Sequence, residues 1–371
     1  MSDDPKAQSE RLDAAIAAVI EGWHADGCEL TDPAFSELAL RIFHHQLVAN
    51  EPYARYCSTL GITRDRLPDR WDAIPALPSG AYKESVLATF DAKCAELVFE
   101  TSGTTRGAGG RHYMETAALY DSALLAGFDR FVLADDARLG YANLVPNPIE
   151  HPHSSLGYMM AHVAARRGTS RTGWFLRNGE LQVAALLGYL HGAQDAREPI
   201  CIAATAFALA AAIDACRERG ERFELAKGSR IMETGGFKGR AVAIDRETLY
   251  RDASDVFGIP GSAIIAEYGM TELTSQYYDL PSSRSSPVRV KVGPPWLRHR
   301  IIGPDGAAVP RGTVGALAHV DLANRSSCIA IATEDLGVAV PGGFVLLGRD
   351  ANAELRGCSL DAESLLAAAR A

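Results

Sequence analysis

Four short, mostly apolar runs constrain the fold of this chain more than any other feature. They occupy residues 96–99, 139–145, 199–204 and 263–266. Runs of four to seven such residues are too short for buried helices and read as buried strands. Between and beside them, residues 115–133, 156–166, 180–191 and 205–219 carry helical patterns. Strand, helix and strand in succession predict an α/β sheet covered by helices.

The flanking regions read differently. Residues 8–22 place Leu12, Ile16, Val19 and Ile20 at helical spacing, and residues 34–48 repeat this with Leu38, Ile42, Leu47 and Val48. Asp32 and Pro33 suit the start of the second helix, a capping side chain followed by proline in the first turn. Pro68, Pro75 and Pro78 break the following stretch into loops. After residue 282 the pattern shifts to short β-like runs at 288–292, 298–302, 315–319, 327–333 and 343–347, separated by glycine and proline. That spacing predicts a small antiparallel sheet or barrel. The expected organisation is an N-terminal helical region (1–95), an α/β body (96–281), a β-rich subdomain (282–347) and a short hinge and tail (348–371).

The formal net charge is −9, and no Lys/Arg block stands out, which argues against a general nucleic-acid binder. The first residues lack the basic and apolar regions of a secretory signal. Residues 202–213, the longest apolar stretch, are too few to span a membrane. Seven cysteines are scattered without a CxxC pair, which suits a reducing, cytoplasmic setting rather than disulfides or zinc.

Four segments carry chemical signals. The first is Thr101, Ser102, Gly103, Thr104 and Thr105 at the end of the 96–99 strand. Small hydroxyl and glycine residues there form either a solvated turn or a nest of N–H groups for phosphate. It is not a Walker A loop. The second runs from Glu267 to Glu272 after the 263–266 run, where a parallel strand would end at the ligand edge of a sheet. Tyr268 offers a flat face for a purine, Thr271 a hydroxyl for phosphate, and Glu272 a hard oxygen for Mg2+. The third holds Gly235, Gly236 and Lys238, the lysine being either a phosphate partner or a surface residue. The fourth holds Asp335 and then Arg349, which suit ribose hydroxyls.

Taken in this order, the segments resemble the adenylate-forming superfamily of acyl-CoA synthetases, adenylation domains and luciferases. The resemblance covers residues 99–358. It implies that 101–105 is a phosphate loop, that Gly235 and Gly236 flank adenine, and that Asp335 binds ribose. It also implies that Tyr268 stacks on adenine while Thr271 and Glu272 handle phosphate and Mg2+. The strings at 99–105, 154–159, 233–239 and 356–360 resemble more narrowly the acyl-protein synthetases, the fatty-acid-activating components of bacterial luminescence. That implies an acyl-adenylate made from ATP and a carboxylic acid, then a thioester on Cys358, then delivery to a partner reductase. The large-domain fold of that superfamily is expected, with its C-terminal domain reduced to a tail.

Two departures matter. No lysine lies in the phosphate loop, and none follows Arg349, so positive charge must come from Arg106, Arg111 or Lys238. The thiol of Cys358 lies eight residues past Asp350. An extended chain at about 3.3 Å per residue lets it reach roughly 26 Å. By itself a cysteine there reads as packing for a short helix; with the resemblance it reads as the nucleophile, with Arg356 placed to lower its pKa. His151 and His153 precede Ser154, Ser155 and Tyr158, where the acid is expected to enter; loop histidines also read as local hydrogen-bonders. A truncated acyl- or aryl-CoA ligase and a non-catalytic nucleotide-binding scaffold are the alternatives.

Overall fold

The computed structural model describes residues 5–101, 109–235 and 245–349. These fall into two compact units. One gathers residues 5–101, 109–126, 270–276 and 293–349, and the other residues 127–235, 245–269 and 277–292.

The second unit is the expected α/β sheet. Its five parallel strands lie in the order Gly168–Trp174, Leu139–Leu144, Ile200–Thr205, Arg230–Thr234 and Ile264–Tyr268. The last four are buried almost throughout, which is why three of them read as apolar runs rather than alternating ones; the other, Arg230–Thr234, does not read as a strand because Arg230, Glu233 and Thr234 break its apolar pattern. Four helices, Ser155–Arg167, Val183–Ala196, Ala206–Glu218 and Arg246–Phe257, belong to this unit. Leu186, Leu190, Leu209, Ile213, Val256 and Phe257 are fully buried against Ile202, Ile231 and Ile264. Each such side chain contributes about 1.5–3 kcal/mol through removal from water. Local chemistry sets the helix starts: the Thr205 hydroxyl accepts from Ala208 N at 3.2 Å, and the Asp245 carboxylate from Thr248 N at 2.8 Å.

Two antiparallel strands, Tyr277–Asp279 and Lys291–Val292, continue this sheet beyond Ile264–Tyr268. They bring a buried charge cluster. Asp279 is fully buried and pairs with Arg289 at 2.7 Å and Lys291 at 2.9 Å. Arg289 also donates to Ile264 O at 2.6 Å, and Lys291 to Ala266 O at 2.6 Å. A buried charge without such partners would be several kcal/mol less stable. The cluster therefore fixes the backbone of the strand that ends at Tyr268.

The first unit begins with the helices Pro5–Asp26, Asp32–Ala49 and Glu51–Thr59. Pro33 sits in the first turn of the second helix, but Thr31 rather than Asp32 is its cap, accepting from Ala34 N at 3.4 Å. The antiparallel sheet expected in the last third is present as Leu297–Ile302, Val314–Asp321, Ala330–Val340 and Gly343–Arg349. A strand of eleven residues replaces the short run read at 327–333, because Leu336 and Val338 continue the alternation past the polar Glu334 and Asp335. A hairpin of Leu97–Glu100 and Arg111–Met114 frames the 101–110 loop. Arg325, almost fully buried, ties the unit together by donating from Nε and Nη2 to Asp13 at 2.7 Å each and from Nη1 to Glu115 at 2.6 Å. No helix among the described residues is long and apolar enough to cross a membrane.

Three buried histidines and the half-buried His299 lie in this first unit. Burial draws His45, His112 and His299 down to about 4 and His319 to about 3. Their folded-state values fall below the unfolded value of about 6.5, so the unfolded chain takes up protons first as pH drops. Their stabilising effect is whole above pH 6.5 and is lost as pH falls toward 4, by roughly 3 kcal/mol for a group as buried as His112. The Asp321 carboxyl, raised to about 6 by burial, opposes this as one group against four. Urea titrations from pH 8 to 4.5 are predicted to show a midpoint that is flat above pH 7 and falls steadily below 6.5. A midpoint independent of pH down to 4.5 would contradict this.

Candidate functional site

Thr101 closes the mouth of the hairpin loop. Its N–H donates to Gly110 O at 2.9 Å, and its hydroxyl accepts from Gly110 N at 2.8 Å. The strands come so close here that a Cβ on Gly109 would lie 2.5 Å from Thr101 O, which only glycine avoids. Ser102, Gly103, Thr104, Thr105 and Arg106 lie outside the described residues. Arg111, a candidate for the missing loop lysine, pairs instead across the hairpin with Glu100 at 2.9 Å.

Thr271 and Glu272 belong to the same unit as this hairpin. They stand in a segment with neither helix nor strand, so its backbone groups need other partners. The Nδ1 atom of His112, on the hairpin, lies 2.9 Å from Thr271 O. The amide of Asn324 donates to Glu272 O at 2.9 Å and to Cys328 O at 2.7 Å. The Thr274 hydroxyl donates to Asn324 Oδ1 at 2.8 Å. Asp321, fully buried, accepts from Thr274 N at 3.1 Å, Ser275 N at 2.8 Å, the Ser275 hydroxyl at 2.9 Å and Ala323 N at 3.0 Å. Its carboxyl is pushed up to about 6 by burial, against these hydrogen bonds, which favour the charged form. Trp296 completes the set by donating its indole N–H to the Ser275 hydroxyl at 2.9 Å. The Glu272 side chain is itself buried, and it is the hard-oxygen donor of the segment.

In the other unit, neighbouring parallel strands bring two sequence-predicted segments to one edge. Thr234 and Glu267 are in register, and the Thr234 hydroxyl donates to the Glu267 carboxylate. Gly235 and Tyr268 follow directly. Gly235 takes φ of +89°, a conformation that disfavours side chains, and Tyr268 lies 6.0 Å from Tyr277, ring to ring. This is the carboxyl edge of the parallel strands, the customary ligand edge of such sheets. Just beneath it, Glu233 is held above the usual carboxylate range by burial while Tyr250 donates to it at 2.8 Å.

Ser154 caps the helix Ser155–Arg167 by accepting from Gly157 N at 3.1 Å, so its hydroxyl has a structural task. Ser155 and Tyr158 lie in the first turn of that helix, and His153 is exposed just before it. Asp335 faces Arg349 across two antiparallel strands of the first unit, and Arg349 pairs with Glu334. Gly236, Lys238 and Cys358 lie outside the described residues.

Sequence reasoning missed His112, Asp321 and Asn324. His112 carried a signal: it alternates with Arg111 and Tyr113 in a short strand, on the same face as buried Met114. Asp321 and Asn324 carried a weaker one, polar residues at and just past the end of an apolar strand.

Residues 158–366 match the protein family described as acyl-protein synthetase, LuxE. Over 339 residues the chain is 22% identical to the long-chain-fatty-acid–luciferin-component ligase of Vibrio harveyi, covering 88% of this chain and 86% of that one. The protein of the same name from Aliivibrio fischeri is 22% identical over 346 residues, covering 89% and 88%. Among solved structures, an open conformation of 2-hydroxyisobutyryl-CoA ligase in complex with 2-HIB-AMP and CoA superposes with a TM-score of 0.63 at 12% identity. It covers 86% of this chain and 71% of that one. ATP-bound MatB from Rhodopseudomonas palustris gives 0.50 at 18% identity, covering 70% of this chain but 49% of MatB, so the chain spans about half of that protein. These two likenesses identify the fold as that of adenylate-forming enzymes.

Replacing Asp321 with alanine leaves up to four buried donors without their acceptor. At about 1–3 kcal/mol for each unmet buried group, partly relieved by water, the variant is predicted to lose roughly 3 kcal/mol or more in urea unfolding. A loss below about 1 kcal/mol would show that Asp321 does not anchor the 272–276 segment.

Proposed function

Because this chain belongs to the acyl-protein synthetase family, we propose that it activates a carboxylic acid with ATP and Mg2+ to an acyl-adenylate and passes the acyl group to Cys358. The observation that carries this reading is the segment from Thr271 to Gln276. A buried, hydrogen-bonded scaffold holds it in an otherwise unsupported conformation, with Thr271 and Glu272 at its head. Rigid placement of polar groups is what the reaction asks for, since carboxylate attack on the α-phosphate depends on positioning and charge neutralisation.

The residues divide the work as follows. Thr101 and the loop after it cradle phosphate, and Thr271 adds a hydroxyl donor. Tyr268 and Gly235, at the ends of adjacent parallel strands, receive the adenine with Gly236. Asp335 binds ribose, with Arg349 beside it, and Lys238 supplies charge toward phosphate. His153, Ser155 and Tyr158 border the acid at the start of their helix; Ser154 does so through the helix end it caps. Glu272 would hold Mg2+. The donor set fits, because Mg2+ is commonly bound through one or two carboxylates plus substrate phosphates and needs no protein cage. When bound, the ion neutralises phosphate charge.

A long-chain fatty acid is the proposed substrate, supported by the names of the two curated relatives. An acyl-reducing partner protein is the proposed recipient, supported by family resemblance. Cys358 is favoured as the acyl carrier by the family resemblance, and burial removes four of the six described cysteines from the choice, leaving the exposed Cys28 and Cys94 as its rivals. Burial pushes Cys57 and Cys201 up to about 12 and Cys216 to about 11, and raises Cys328 further. Thiols so perturbed are poor nucleophiles near neutral pH.

Intact-protein mass after incubation with ATP, Mg2+ and a fatty acid tests the transfer. The wild type is predicted to gain one acyl group, labile to hydroxylamine, and the Cys358→Ala variant none. Equal acylation of both proteins, or AMP release without any adduct, would sink the role of Cys358 and point to CoA or a carrier as acceptor.

A further inference from the structure

We propose that His112 is a positioning residue that holds Thr271 and Glu272 in place against the hairpin carrying the 101–110 loop. This rests on the reading of Thr271 and Glu272 as groups that act on ATP. The proposal itself concerns what keeps them there.

The segment's own geometry creates the need. Thr271 and Glu272 have no strand or helix to satisfy their carbonyls. Two side chains distant in sequence take up these consecutive groups: His112 meets Thr271 O, and Asn324 meets Glu272 O. A carbonyl only accepts, so Nδ1 of His112 must carry the proton. The ring is neutral at working pH, since burial draws its pKa to about 4. The Nε2 atom is buried and makes no hydrogen bond of good geometry among the described residues, although the Asn324 side chain lies near enough to interact with the ring. A histidine kept only for packing would bear that cost without return, as leucine or methionine would fill similar space with no polar atom. The Nδ1 donor is therefore the reason for a histidine here.

The ring is also clamped. Tyr82 meets it edge to face at 5.8 Å, and the Tyr82 hydroxyl is fixed by Ser327 Oγ at 2.9 Å. Gly110, at the foot of the loop, presses on Tyr82: a Cβ there would lie 3.2 Å from Tyr82 backbone and side chain alike. The foot of the loop, Tyr82, His112 and Thr271 thus form one continuous contact path. A shift of Thr271 and Glu272 relative to the hairpin breaks it.

The test compares three variants. In His112→Asn the side-chain amide takes the place of Nδ1–H; in His112→Gln the donor moves one carbon outward; in His112→Leu it is gone. Two readouts are taken: hydrogen–deuterium exchange of the peptide covering 270–276 without nucleotide, and ATP-dependent pyrophosphate release as a function of Mg2+. The Leu and Gln variants are expected to exchange at least ~10-fold faster at 270–276, to lose at least ~10-fold in kcat/KM for ATP and to need more Mg2+. The Asn variant is expected to stay within ~3-fold of wild type in each. If Leu does not fold, Gln carries the comparison. Unchanged exchange in Leu and Gln, or equal losses in all three variants at an unchanged Mg2+ requirement, would overturn the proposal. Should the wild type release no pyrophosphate with any acid, the activation reading fails, while the exchange contrast among variants still decides the role of His112.

Discussion

The buried carboxylate of Asp321 is the interaction on which the first unit's active-looking face depends. It collects three donors from Thr274 and Ser275 and a fourth from Ala323, and so fastens an irregular segment to a turn more than forty residues away. That turn is itself held from the other side. Gln46 donates to Asn324 O and Arg325 O and accepts from Ile329 N, and Asn50 donates to Ser327 O. A helix in the first fifty residues therefore supports the turn, and the turn supports Thr271 and Glu272. Every link is a buried polar group whose loss would leave another unmet, which makes the conformation of the segment specific rather than merely stable.

The second unit solves a related problem with charge. Its parallel strands end in polar residues at a common edge, and the strand leading to Tyr268 needs a fixed end. Asp279, Arg289 and Lys291 provide it by pairing with one another and donating to the strand's own carbonyls. Lysine is scarce in this chain, and burial lowers the pKa of Lys291, so this residue serves the strand and not a phosphate. The family's acid-activating chemistry, as proposed for this chain, then relies on cations other than Lys291 and Arg111, each of which has a structural partner.

Much of the fold was legible because its signals are local. Apolar runs at 139–145, 199–204 and 263–266 became parallel strands in sequence register with the helices between them. The antiparallel sheet near the C-terminus followed from glycine and proline spacing. The strand carrying Asp335 was longer than read, since two consecutive charged residues, Glu334 and Asp335, interrupt its apolar pattern. The candidate site was legible where a motif sits at a strand end, as with Tyr268 and Gly235. It was hidden where the work is done by residues from elsewhere in the chain: nothing in the spacing of His112, Asp321 or Asn324 shows that all three converge on residues 271–275. Ser154 stands at the start of a helix, and its hydroxyl is occupied as that helix's cap.

The account stands or falls on whether the held segment serves acid activation. The most direct measurement is ATP–pyrophosphate exchange with a panel of carboxylic acids of increasing chain length, for the wild type and for Glu272→Gln. The account predicts exchange in the wild type that depends on the acid and favours long chains, and a loss of at least ~100-fold in the variant with its fold intact. Exchange absent with every acid, or as fast in Glu272→Gln as in the wild type, would contradict it.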